Sequence, residues 1–114
     1  MKARSHSSKQ GILDGIRVLD LSRMLSGPYA TMLLADHGAE VIKIESAEGD
    51  SSRRSGPFKE NDTKNNWSGY FISLNRNKKS ISLNLKKKND LDFLKNLIEG
   101  ADVLVENFRP GVME

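Results

Sequence analysis

Residues Gly15 to Glu45 read GIRVLDLSRMLSGPYATMLLADHGAEVIKIE, and the reading of this stretch decides the fold. Ile16 to Leu21 is a short apolar run carrying Val and Ile, long enough for a buried strand. Ser26, Gly27 and Pro28 then punctuate the chain. Serine caps a helix by accepting from an orphan backbone N–H. Proline suits the first helical position, where its missing N–H costs nothing. The spacing predicts a helix over Tyr29 to His37. Gly38 stops it, being the residue type preferred at a left-handed position after a helix. Val41, Ile42 and Ile44 make Glu40 to Glu45 a second strand. Strand, helix and strand with short links imply a parallel pair and a right-handed crossover. The fold class is therefore α/β, a Rossmann-like parallel sheet with flanking helices. Ligands are expected outside the carboxyl ends of its strands.

Outward from this unit the chain divides simply. The first ten residues, MKARSHSSKQ, hold no acid and too few apolar residues for an amphipathic targeting helix, and read as a disordered tail. One domain is expected over residues 11–114, with Ile12 and Leu13 beside the first strand. Ser46 to Ser68 is polar and without apolar period, and reads as a long loop, a length usually functional or disordered. Trp67, Tyr70 and Phe71 close it as an aromatic anchor on the core. Ser80 to Leu85 alternates, Ile81, Leu83 and Leu85 facing one way and Ser80, Ser82 and Asn84 the other. That pattern predicts a strand with one wet face, at an edge or facing a site. Asn89 or Asp90 caps a further helix whose apolar face is Leu91, Leu94, Leu97 and Ile98. Gly100 ends that helix, Asp102 to Val105 is another short strand, and Glu106 to Gly111 is the turn beyond it.

Composition narrows the function classes. The 114 residues are mildly basic, with 18 Lys+Arg against 15 Asp+Glu. The basic residues are scattered and aromatics are only 6% of the chain, which argues against a nucleic-acid surface and fits an anionic small ligand. Cysteine is absent, so disulfides, thiolate catalysis and cysteine-based zinc sites are excluded. No 18-residue apolar run exists, so no membrane helix is expected. No metal is expected. Cytoplasmic and mitochondrial locations both stay open.

Three segments carry a family resemblance. LDLSRMLSGPYATMLLADHGAEVIKIE, then LNRNKKSISLNLK (Leu74 to Lys86), then ADVLVENFRPGVME (Ala101 to Glu114) resemble, in order, signatures of the family III CoA-transferases, the group that includes formyl-CoA transferase and the carnitine-CoA transferases. The resemblance implies that this chain is the N-terminal part of a longer fold. It implies coenzyme A as the bound group, acyl-CoA and carboxylic acid substrates, and an interlocked homodimer in the full-length protein. It implies CoA contacts at Arg23, Leu25, Ser26, Ser46, Leu83, Asn84, Leu85, Lys86, Asn107, Phe108 and Arg109. These positions also make chemical sense. Coenzyme A needs free N–H groups at a helix start, a few cations for its phosphates and amide partners for its arm. Plainer readings stand beside them: Arg23 and Arg109 as surface charges, Asn107 as a turn cap, Lys86 to Lys88 as a solvated run. Formyl-CoA transferase carries histidine, glutamine and arginine where Arg23, Leu25 and Ser46 stand. LSRMLSGP and LNRNKKS are closer to the members that use succinyl-CoA.

The family mechanism uses an aspartate nucleophile downstream of the NFRPG segment, and the resemblance assigns no catalytic residue to this chain. Asp20, Asp36, Glu45, Glu99 and Glu106 read as strand-end or solvated acids. Three other readings remain. An acyl-CoA racemase would share the fold and CoA site. A non-catalytic remnant would bind CoA weakly, and half a parallel sheet with open edges is expected to be poorly stable and inactive alone. A dinucleotide-binding domain would use Glu45 for the ribose, but the first turn lacks G-x-G-x-x-G, and Met24 and Leu25 are bulky.

Overall fold

The computed structural model describes residues 11–114. The expected tail over the first ten residues lies outside the described residues. Four strands, β1 (Arg17–Asp20), β2 (Glu40–Glu45), β3 (Lys78–Ser82) and β4 (Val103–Val105), form one sheet. Its order is β3-β2-β1-β4, and every pairing is parallel. Three helices connect them: α1 (Ser26–Asp36), α2 (Gly69–Asn75) and α3 (Lys88–Glu99). Leu19 pairs with Ile42 on one side and Leu104 on the other, so β1 is central. β3 and β4 are the edges among the described residues; β3 ends at Ser82, so Leu83 to Leu85, expected within that strand, instead form the turn beyond its carboxyl end.

Side-chain alternation gives the two faces different partners. Val18 and Val41 pack with Ala35 of α1 and with Ala39. Leu19 and Ile44 point the other way and pack with Leu21 and with Leu94 of α3. Leu97 and Ile98 join that second cluster at helical spacing, as their sequence pattern implied.

Two glycines are required by the geometry around α1. A Cβ on Gly27 would stand 2.3 Å from the Ser22 Cβ, so only glycine lets the helix start lie against the turn after β1. Gly38 adopts φ +104°, the left-handed stop expected of it.

The helix starts differ from the sequence reading. α1 begins at Ser26, so Ser26 is not its cap; Leu25 holds that position without a side-chain bond. Pro28 is then third in the helix, where an N–H would still lack an intrahelical acceptor. α3 begins at Lys88 after Lys87, and neither Asn89 nor Asp90 is the cap. Asp90 instead accepts from the Asn84 N–H at 2.7 Å and ties the preceding turn to the helix. α2 replaces what reads as aromatic loop ending. Ser68 caps it, accepting from the Phe71 N–H at 3.1 Å. The long loop also contains a 3-10 turn, Ser51–Arg54, capped by the Asp50 carboxylate. Its aromatic anchor works through Phe71, which is buried, with the Arg53 guanidinium 3.7 Å from the ring centre. Trp67 stays largely exposed.

Candidate functional site

At the carboxyl ends of β1, β2 and β3 lies a cleft of about 400 Å³. Leu21 and Ile44 line it as strand-end apolar residues. The turn after β1 contributes Arg23, and the segment after β2 contributes Ser46, Ala47 and Glu48 beside Glu45. Leu83 to Lys86 follow β3, and Phe108 follows β4. Parallel strands bring these turns to one end of the sheet, which is why residues far apart in sequence converge there.

Seven of the residues anticipated from sequence line this cleft: Arg23, Ser46, Leu83, Asn84, Leu85, Lys86 and Phe108. Leu25 and Ser26 are exposed at the start of α1, outside the lining. Arg109 is exposed on the turn beyond β4. Asn107 clamps a neighbour: its Oδ1 accepts from the Arg23 N–H at 2.9 Å, and its Nδ2 donates to the Arg23 carbonyl at 2.8 Å. The Arg23 guanidinium stands 5.1 Å from the centre of the Phe108 ring, within cation–π range. Asn84 folds its own turn, its Oδ1 accepting from the Lys86 N–H at 3.1 Å. Glu45 and Glu48 also line the cleft, where the segment from Glu45 onward is expected as a strand end, although neither was among the anticipated ligand contacts. Their position directly at and after the end of β2 was the available signal.

Behind the cleft lies a buried ionic network. Asp20 is fully buried; it accepts from the Ser22 N–H at 2.9 Å, the Thr31 hydroxyl at 2.7 Å and Lys78 Nζ at 2.9 Å. Lys78 also donates to the Pro28 carbonyl and to Asn75 Oδ1. Lys43 is equally buried and meets Asp50 at 2.9 Å and the Ser22 carbonyl at 3.0 Å. Asp50 in turn accepts from the Ser52 N–H and hydroxyl.

Glu45 takes a forked pair from Arg53 at 2.8 and 2.7 Å, the Asp50 N–H at 2.9 Å and the Ser80 hydroxyl. Its four acceptor positions are thereby filled. Burial opposes ionisation of Glu45, but Arg53, Ser80 and the Asp50 N–H outweigh it and hold the carboxyl at about 2. For Asp20, burial is likewise overcome by Ser22, Thr31 and Lys78, and the carboxyl lies below its ordinary value. For Asp50 the Ser52 N–H and Lys43 have the same effect. Burial also lowers Lys78, against the attraction of Asp20. A glutamate so completely engaged has no lone pair left for a ribose hydroxyl, which removes the basis of the dinucleotide reading.

A sequence model of CoA-transferase family III matches residues 13–114. This chain belongs to that family. It is 50% identical over 104 residues to a succinyl-CoA:mesaconate CoA-transferase of Haloarcula marismortui, covering 91% of this chain and 26% of that protein. It is 47% identical over 102 residues to a formyl-CoA:oxalate CoA-transferase of Streptomyces coelicolor, covering 90% of this chain and 24% of that protein. Among solved structures, a CaiB/BaiF family protein from Brucella suis superposes with a TM-score of 0.82 at 38% identity, over 90% of this chain and 27% of that one. The chain thus spans about a quarter of the length of these family III relatives. The parallel α/β architecture, with the cleft at its strand ends, is the part of the family fold that it carries.

Among the described residues no group of three acidic or histidine side chains is placed to hold a metal ion. None of the described helices is long and apolar enough to cross a membrane.

Proposed function

We propose that the cleft binds a coenzyme A thioester, and that the chain supplies this wall of an enzyme moving CoA between carboxylic acids. The observation that carries the reading is the placing of Arg23 and Lys86 on the same cleft, from turns two strands apart, with Phe108 beside Arg23. Cations at two points suit a ligand whose phosphates are spread along its length. Asn84 Nδ2 and the carbonyls of the Leu83 to Lys86 turn offer partners to the amides of a pantetheine arm, the N–H groups of Leu83, Asn84 and Lys86 being bonded within the fold. Phe108 offers an aromatic surface. Asn107 acts through the Arg23 backbone. Family membership supports the same reading, and relatives named for succinyl-CoA favour a dicarboxylic acyl donor.

Calorimetric titration tests it. Coenzyme A binds saturably and NAD does not. Arg23→Ala and Lys86→Ala each weaken CoA binding about tenfold. Lys59→Ala, in the loop away from the cleft, leaves it unchanged. Equal affinity for CoA and NAD, or no binding of CoA, overturns the reading.

A further inference from the structure

The turn that carries Arg23 has an unusual backbone. Met24 adopts φ +70°, a left-handed conformation that a residue with a long side chain rarely takes. Such a conformation persists where its surroundings over-determine it. Here each backbone group from the Ser22 N–H to the Met24 N–H has a side-chain partner. The Ser22 N–H goes to Asp20 and the Ser22 carbonyl to Lys43 Nζ. Both backbone groups of Arg23 go to Asn107. The Met24 N–H is shared by the two Asp50 carboxylate oxygens at 3.3 Å each.

Lys43 and Asp50 therefore hold the turn from below, and they hold each other at 2.9 Å with both side chains buried. Neither residue lines the cleft. Asp50 is also tied through its own N–H to Glu45, and so to the β2 wall of the same cleft.

We propose that Lys43 and Asp50 are positioning residues, a buried ion pair that fixes the Ser22 to Met24 turn so that Arg23 stands over Phe108 at the cleft. The inference rests on the reading that this cleft holds coenzyme A. Without the pair, the Met24 N–H and the Ser22 carbonyl lose their partners and the left-handed turn relaxes. Arg23 then samples many positions, and the ordering cost is met on binding.

A double-mutant cycle separates positioning from general stability. Asp50→Asn and Lys43→Met each weaken CoA binding about tenfold when Arg23 is present. In an Arg23→Ala background the same changes weaken it less than about twofold, because the side chain they position is gone. Equal losses in both backgrounds overturn the proposal. A second measurement needs no variant. The Met24 amide of the unmutated chain exchanges with solvent as slowly as the amides of β1; exchange at the rate of the exposed loop overturns the clamp itself. Failure of the unmutated chain to bind CoA, with the Met24 amide protected, overturns the ligand reading and leaves the clamp standing.

Discussion

On the α3 side of the sheet Leu19 and Ile44 meet Leu94, whereas on the α1 side the same two strands present Asp20, Lys43 and Glu45. Both sets are buried at the carboxyl halves of β1 and β2. The difference is one residue of register, since successive side chains of a strand face opposite ways. The apolar face gains stability without direction. The ionic face gains little net stability, because desolvation offsets attraction, but it fixes positions. It is also the face whose network reaches the turn carrying Arg23, through the bonds of Asp20 and Lys43 to Ser22. The molecule therefore places its directional contacts under the part of the cleft that must be held still.

The strongest way to break this contrast is to remove one partner of the Asp20–Lys78 pair. Asp20→Asn keeps the shape and leaves Lys78 charged and buried. We expect a loss of about 3–5 kcal/mol, measured by urea unfolding. Asp20→Asn combined with Lys78→Met is expected to cost less than either change alone, because no unpaired charge remains. Additive losses would mean that the two residues act independently, and the ionic face would then differ from the apolar one in composition only.

Acid is the next test of the same contrast. The Glu45 carboxyl is held at about 2, below its ordinary value of 4.5. A carboxyl depressed by folding contributes stability above its unfolded value, and this is lost as pH falls through the folded value. Glu45 thus contributes stability near neutral pH that is lost as pH falls between about 4.5 and 2. Asp20 and Asp50 are shifted the same way and steepen the loss. Unfolding free energies measured from pH 7 to pH 2 should fall across that window. Arg53→Met should flatten the fall, since it removes both arms of the fork on Glu45.

How much of this was legible before the fold was known follows from the same two faces. The apolar pattern of Ile16 to Leu21 and Glu40 to Glu45 gave the parallel pair, and Leu91, Leu94, Leu97 and Ile98 gave α3, because burial against hydrocarbon leaves a periodic trace. The cleft was legible in outline, since strand ends in a parallel sheet converge whatever their sequence. The ionic network was not. Lys43 inside EVIKIE was not singled out, since a lysine in an apolar strand run leaves no trace of its partner, and only the packing of α1 and of the Asp50 loop shows that it is buried. α2 was missed because GYFISLN is seven residues long, opens on glycine and has little helix propensity. Tertiary contact with α1, together with the Ser68 cap, makes it a helix. Asn107 was anticipated as a ligand contact, and its amide is spent on the Arg23 backbone, a partner 84 residues away that spacing along the chain does not reveal.

The smallest effect expected is on the apolar face, and its value lies in being insensitive to pH. Leu94 is buried against Leu19, Leu21 and Ile44. Leu94→Ala removes transfer energy and leaves a partial cavity, which α3, lying at one surface of the sheet, partly closes by shifting. A cost of about 2–3 kcal/mol follows, toward the lower end for such a change. No titrating group belongs to that cluster, so the loss should be the same at pH 7 and at pH 4. Asp20→Asn should behave otherwise, costing less as pH falls below the ordinary carboxyl value, where the unfolded chain binds a proton that the native Asp20 carboxylate still excludes and the unmutated protein loses that part of its advantage. Chemical unfolding of both variants at the two pH values makes the comparison. If Leu94→Ala proves as pH-dependent as Asp20→Asn, the two faces are coupled through the sheet, and the division of labour between apolar packing and ionic positioning does not hold.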